Sequence, residues 1–257
     1  MSAEYVLGAQ LYTVRAFTQT LEGVAETLAK VADIGYRAIQ ISGFGPVDPA
    51  EVAKLVQEHE LTVAATHMGW DRFLHDLDEV IEIHKLWKCA HPAVGGLPGE
   101  YYSVEGLKRF LDELAPIAGR LAEEGMDFSY HNHNHEFIRY GEKTWLEMLY
   151  EWADPGMLKA EIDTYWIQAG GGDPAAWVRK CAGREPLLHL KDMAIAPGRE
   201  QRFAEIGEGN LNWAAILQAA KEGGVEWYLI EQDNCYERDP FESLAISYHN
   251  LRKMGLR

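Results

Sequence analysis

The chain alternates between two hydrophobic periods, and it does so eight times. Short β-like runs such as "YVLGAQLY" are followed by longer stretches whose apolar residues recur every three or four positions. In "TLEGVAETLAKVADIG", Leu21, Val24, Leu28 and Val31 form one helical stripe and Gly35 supplies a stop. "DPAEVAKLVQEHE" opens with an Asp cap and a proline in the first turn, as does "DPAAWVRKCA". Further strands are expected in "YRAIQIS", "LTVAATH", "CAHPAVGG", "MDFSYHNH", "LKAEIDTYW", "PLLHLKD" and "EWYLIEQD". Of these, "CAHPAVGG" fits worst, because Pro92 has no N–H for a central ladder. The longest helix, "VEGLKRFLDELAPIAGRLAEEG", should bend or break near Pro116.

Eight strand–helix pairs in 257 residues, with no linker or composition break, predict one (β/α)8 TIM barrel spanning residues 1–257. An open doubly wound sheet is the alternative. Hydrophobic residues make up 47% of the chain, enough for a large core. No run approaches the roughly 18 apolar residues that cross a bilayer. The first seventeen residues lack the basic and apolar regions of a secretion signal. Cys89, Cys181 and Cys235 lie far apart without C-x-x-C spacing, so a reducing, cytoplasmic setting without a membrane partner is expected. A net charge of −16, with no Lys/Arg run, argues against a nucleic-acid partner.

A barrel demands that functional residues sit where strands end. The polar residues there are Gln10 and Tyr12, Gln40 and Ser42, His67, the His/Asn run with Glu136, Asp163, His189 with Lys191, and Glu231 with Asp233. "AEIDTYW", "LLHLKD" and "YLIEQD" each carry an ionisable group directly after an apolar run. A carboxylate so placed is costly without a positive partner. Carboxylates and imidazoles without thiolates suit a divalent ion held at an open site, such as Mn²⁺, Zn²⁺, Co²⁺ or Mg²⁺. Each residue alone has a plainer reading: Asp163 as a helix cap, His189 as a core histidine, Lys191 as a neutraliser of carboxylates.

The densest cluster is "SYHNHNHEF", Ser129 to Phe137. Strand alternation would set His131, His133 and His135 on one side and Tyr130, Asn132 and Asn134 on the other. The strand is expected to end near His131 or Asn132, freeing Glu136 to fold over the mouth. "GEGN", Gly207 to Asn210, lacks the Lys-Ser/Thr of a nucleotide loop and is a weak phosphate cradle.

Taken in order, "HNHNHEF", "EIDTYW", "LLHLKD", "IGEGNLNW" and "YLIEQD" resemble the sugar phosphate isomerase/epimerase superfamily, the xylose isomerase-like TIM barrels. The resemblance implies a divalent metal on four strand ends. Asp163, His189 and Glu231 match three ligands, and Glu136 is taken as the fourth, with His131 and His133 as rivals. Many relatives place that glutamate inside strand five, where Tyr130 or His131 stands here.

The resemblance further implies a metal-dependent isomerase or epimerase of a sugar, keto-sugar or polyol derivative, with Mn²⁺ the expected ion. Glu136 and Glu231 would move the proton, with His131 and His133 as further catalytic groups. His67, Lys191, Gln10 and Trp166 would contact a small carbohydrate. The alternative is a dehydratase or lyase eliminating from a keto-inositol or 3-keto-glycoside. Phosphodiester hydrolysis and non-catalytic sugar binding are weaker readings. Many barrel enzymes associate, so a homo-oligomer is an open alternative.

Overall fold

The computed structural model describes residues 6–256; Tyr5, the first residue of the expected first strand, lies outside them. Eight parallel strands form the barrel: β1 Val6–Gln10, β2 Ala38–Ile41, β3 Thr62–Met68, β4 Pro92–Val94, β5 Ser129–His131, β6 Lys159–Asp163, β7 Leu187–Leu190 and β8 Trp227–Ile230. Each pairs with the next, and β1 pairs with both β2 (Gly8 opposite Ala38) and β8 (Val6 opposite Trp227). That closure removes the open-sheet alternative.

The buried strand residues fall into two sets, by alternation except at the irregular β2–β3 pairing. Ala38, Ala64, Ala65, Leu187 and Leu229 pack together in one small cluster. Their strand neighbours Leu188, Tyr228 and Ile230 join the large core with the helices. Parallel strands covered on both faces read as near-continuous apolar runs, as these do. On β2, β7 and β8, Gln40, His189 and Glu231 stand two residues beyond Ala38, Leu187 and Leu229. They therefore share the inward side, one layer closer to the mouth.

Local signals explain the surrounding helices. The helix Leu21–Ile34 starts where the Thr20 hydroxyl accepts from the Gly23 N–H, and it stops at Gly35 with φ 122°. Leu21 itself is exposed, leaving Val24, Leu28 and Val31 as its buried stripe. Asp48, Asp173 and Asp239 each cap a helix whose first turn contains proline. Pro92 takes the first position of β4, where a missing ladder donor is tolerated. The helix Val104–Glu123 runs through Pro116 without interruption. Among the described residues, no helix is long and apolar enough to cross a membrane.

Two excursions decorate the mouth. After β7 the chain forms an antiparallel hairpin, Asp192–Ile195 with Gln201–Ala204. β5 is only three residues long; beyond His131 the chain makes a tight turn at His135–Phe137.

Candidate active site

The strand ends bring Asp163, His189 and Glu231 together with His131. One donor atom from each lies within 4.8 Å of the others, and all four residues are buried. His189 Nδ1 is 2.8 Å from Glu231 Oε2 and 3.8 Å from Asp163 Oδ2. His131 Nε2 is 3.2 Å from the same Asp163 oxygen. Asp163 also caps the helix Thr164–Ala169, its Oδ1 accepting from the Trp166 N–H at 2.9 Å. Helix cap and cluster member are thus two ends of one carboxylate.

Glu136 stands elsewhere. Its side chain is fully buried, with Oε1 accepting from the Tyr130 hydroxyl at 2.7 Å and Oε2 from the His133 N–H at 2.9 Å. Its metal-capable neighbours are His133 and His135, and it does not line the mouth cavity. Burial pushes its carboxyl up to about 7, against the hydrogen bond from Tyr130. The reason is geometric: β5 ends at His131, pointing that ring inward, and the following turn folds Glu136 under the loop.

Lys191 follows β7 and is almost fully buried. Its Nζ lies 3.1 Å from Asp163 Oδ2, 2.9 Å from Glu231 Oε2 and 3.0 Å from Asp233 Oδ1. Burial opposes its charge, but Asp163, Glu231 and Asp233 more than offset it and raise its pKa. Burial likewise opposes the Glu231 and Asp163 carboxylates, yet Lys191 and the nearby imidazoles hold both below the usual range. Burial would lower His189 too; Glu161 and Glu231 instead lift it to about 10. At His131 and His133 the nearby Asp163 carboxylate is outweighed. Burial and the neighbouring cationic groups lower them to about 4 and about 2.

The donor set fits a divalent ion. Two carboxylates and two imidazoles with no thiol are ligands for Mn²⁺, Zn²⁺, Co²⁺ or Mg²⁺ in differing preference. The Lys191 ammonium already sits between two of the four donor atoms, which marks the spot as one that wants positive charge.

Above the cluster opens a cavity of about 560 Å³. Gln10, His67, Trp166 and Lys191 all line it, as do His131, His133 and Glu231. The Trp166 ring lies 5.3 Å from that of His133 and 5.7 Å from Lys191 Nζ.

Three groups with structural weight here received no role from the sequence reading. Glu161 is fully buried beneath the cluster, 2.7 Å from both His67 Nε2 and Gln40 Nε2 and 3.1 Å from His189 Nε2. Its signal was present: in "AEID", period two sets Glu161 on the same side as Asp163. Asn132 Oδ1 accepts from the Asp163 N–H at 3.1 Å, tying β5 to β6. Asp192 fills the "GEGN" loop itself, accepting from the N–H groups of Gly207, Gly209, Leu211 and Met193 and from the Trp213 indole. That loop cradles a carboxylate, supplied from within the protein by the first residue of the hairpin.

Known proteins share this architecture. A family model described as a xylose isomerase-like TIM barrel matches residues 28–248. An inosose dehydratase of Clostridium beijerinckii is 28% identical over 166 residues, 58% of this chain and 54% of that protein. The match thus spans about half the length of that relative. An inosose dehydratase of Geobacillus kaustophilus is 22% identical across 89% of this chain and 84% of its own. The solved structure of a sugar phosphate isomerase/epimerase from Parabacteroides distasonis superposes with a TM-score of 0.81 at 21% identity, covering 98% of this chain and 99% of that one. With a closed eight-stranded barrel and a family match over most of its length, the chain belongs to the xylose isomerase-like TIM barrel family.

Proposed function

We propose that the protein is a divalent-metal-dependent isomerase or epimerase that moves a proton beside the carbonyl of a sugar, keto-sugar or polyol derivative. The observation carrying this reading is the meeting of His131, Asp163, His189 and Glu231 in one buried cluster, two of whose members, His131 and Glu231, line the mouth cavity. These four residues would hold the ion, with Mn²⁺ expected and Zn²⁺, Co²⁺ or Mg²⁺ as alternatives. A bound ion would polarise a substrate carbonyl and so acidify the neighbouring C–H.

Glu231 is the ionised carboxylate of the cluster that lines the cavity, and it is the proposed base. It takes the proton from the carbon beside the carbonyl, and the electron pair moves to oxygen as an enediolate. Return of a proton to the neighbouring carbon gives isomerisation; return to the opposite face gives epimerisation. Lys191 donates to a developing oxyanion. Gln10, His67 and Trp166 position the sugar. Glu136 takes a bracing role, holding the turn that carries His133.

Elimination is a second reading, favoured by one feature. Strand five presents the imidazole of His131 to the cluster, and His133 lines the cavity beside it. An imidazole there can deliver a hydrogen to a departing hydroxyl, which a keto-inositol would lose as water. The curated relatives named as inosose dehydratases support the same alternative. The small carbohydrate is then the partner in either case, and three unpaired cysteines suit a cytoplasmic enzyme.

Glu231→Gln tests the shared step. The variant should remain folded by circular dichroism while substrate C–H exchange with D₂O falls by about 10²–10⁴-fold. Exchange at the wild-type rate would sink the proposed base. NMR of the products separates the two readings, since elimination releases water and isomerisation conserves mass.

A further inference from the structure

The mouth cavity does not end at His67. A groove of about 400 Å³ opens beside it and shares Ser42, His67, Met68 and Gly69 with the cavity wall. It lies between the segments that follow β2 and β3 and reaches the helix Leu77–Trp87. Five half-buried side chains give it an apolar lining: Phe44, Val47, Met68, Ile83 and Trp87. Phe44, Val47, Met68 and Trp87 also pack against the main core.

The walls are held in place. The Gly45 N–H donates to the Thr18 carbonyl at 3.0 Å, and the Gln19 amide donates to the Gly43 carbonyl at 2.9 Å. A Cβ on Gly45 would stand 2.3 Å from the Gln19 carbonyl oxygen, so only glycine allows that approach. At the far end the Trp87 indole N–H donates to the Pro49 carbonyl at 2.9 Å, which fixes the ring. The groove is therefore preformed, as sites for small molecules usually are.

Its charges are already matched. Arg72 and Glu79 on the lining pair at 3.0 Å, Asp76 meets Arg72 Nε at 3.1 Å, and His67 faces Glu161 at 2.7 Å. Among the described lining residues, no cation stands without a carboxylate beside it, so a phosphate or carboxylate finds no partner there. An apolar wall without a spare charge favours an uncharged, apolar guest, because seating that guest removes its surface from water. Position says what the guest is joined to. β2 and β3 stand across the barrel from β6 and β7, which carry Asp163 and His189. A sugar whose oxygens meet the ion cluster turns its opposite side towards the groove.

We propose that the groove is a substrate subsite, and that the substrate is a carbohydrate bearing an uncharged, apolar aglycone on the side remote from the ion. This rests on the carbohydrate reading above and deepens it by naming the substrate class: a glycoside, not a free or phosphorylated sugar.

The probes are phenol and paired phenyl and methyl pyranosides of glucose, galactose, mannose and xylose, titrated into the full-length Mg²⁺-loaded protein. Amide ¹H–¹⁵N NMR reads where they bind. Phenol should shift the Phe44 and Val47 amides and the Trp87 indole N–H, with saturation. At least one phenyl glycoside should shift these together with the Gln10 side-chain amide, and bind about tenfold more tightly than its methyl counterpart. Ile83→Trp, which fills the groove, should remove that advantage. Absence of shifts at the groove, or shifts confined to the apolar pocket around Trp213, Leu217 and Met254, overturns the inference. Equal affinities within every pair do the same, as does an advantage that survives in the folded variant. The first two outcomes are read on the wild type, so a variant that fails to fold leaves the test decisive. Binding is measured without turnover. A phenyl glycoside seated as described in a protein that exchanges no C–H strikes the reaction and leaves the subsite; C–H exchange with equal phenyl and methyl affinities strikes the subsite alone.

Discussion

His84 and His189 are both fully buried, yet their environments drive them in opposite directions. His84 donates from Nδ1 to the Val80 carbonyl at 2.7 Å, and its Nε2 lies 2.8 Å from the Thr66 hydroxyl. Neither partner is charged, and burial lowers its pKa from 6.5 to about 4. The unfolded chain therefore binds a proton on His84 between about pH 6.5 and pH 4 that the folded chain refuses. Its contribution to stability is complete above pH 6.5 and is lost as pH falls through that window, by up to about 3 kcal/mol. Thermal melts from pH 7 to pH 4.5 should show a steeper loss for the wild type than for His84→Gln. Parallel slopes would contradict this.

Single residues were legible in the sequence where a long apolar run fixed the strand end. Asp163, His189 and Glu231 each follow such a run, and their convergence was readable from the barrel alone. Glu136 was not, because β5 is three residues long and the turn after it sets direction by backbone geometry. The expected fourth partner, Glu136, lies under the loop with Tyr130, and His131 stands in the cluster. Glu161 was overlooked for a different reason. A carboxylate inside an apolar strand reads as an error in the pattern until the partners Gln40, His67 and His189 are in view.

At the scale of elements, the segment after β7 depends on one side chain. Asp192 binds five N–H donors spread from Met193 to Trp213, joining the hairpin to the loop that starts the helix Trp213–Gly223. A Cβ on Gly209 would meet Asp192 Oδ1 at 2.3 Å, so the loop closes around the carboxylate only with glycine there. Asp192→Asn replaces one accepting oxygen with a donor and sets it against N–H groups. The expected cost is about 2–4 kcal/mol, read as a lower urea midpoint, with the loop amides exchanging faster. An unchanged midpoint would show that the loop holds itself. The eight barrel strands were readable, including β4, where Pro92 enters at the first position and leaves the ladder intact, whereas the hairpin after β7 and the short helix Thr164–Ala169, expected as part of strand six, were not. The unbroken helix through Pro116 shows tertiary packing outweighing a local breaker.

At the scale of the whole molecule, the closed barrel concentrates charge at its mouth. Removing divalent ions with EDTA should leave the circular dichroism spectrum unchanged. Restoring Mn²⁺ at about a hundred times its Kd should raise Tm by roughly 5–10 °C, the shift that selective binding to the folded chain produces. Collapse of the spectrum on chelation would show that the ion is needed to fold. Lys191 explains the expectation, because its ammonium already joins Asp163, Glu231 and Asp233. Small metal domains are born incomplete and wait for their ion before they acquire a shape. This chain carries its own understudy, so under the proposed metal dependence a newly made copy would finish folding in an ion-poor cell and take up the ion later, as an exchange of one cation for another.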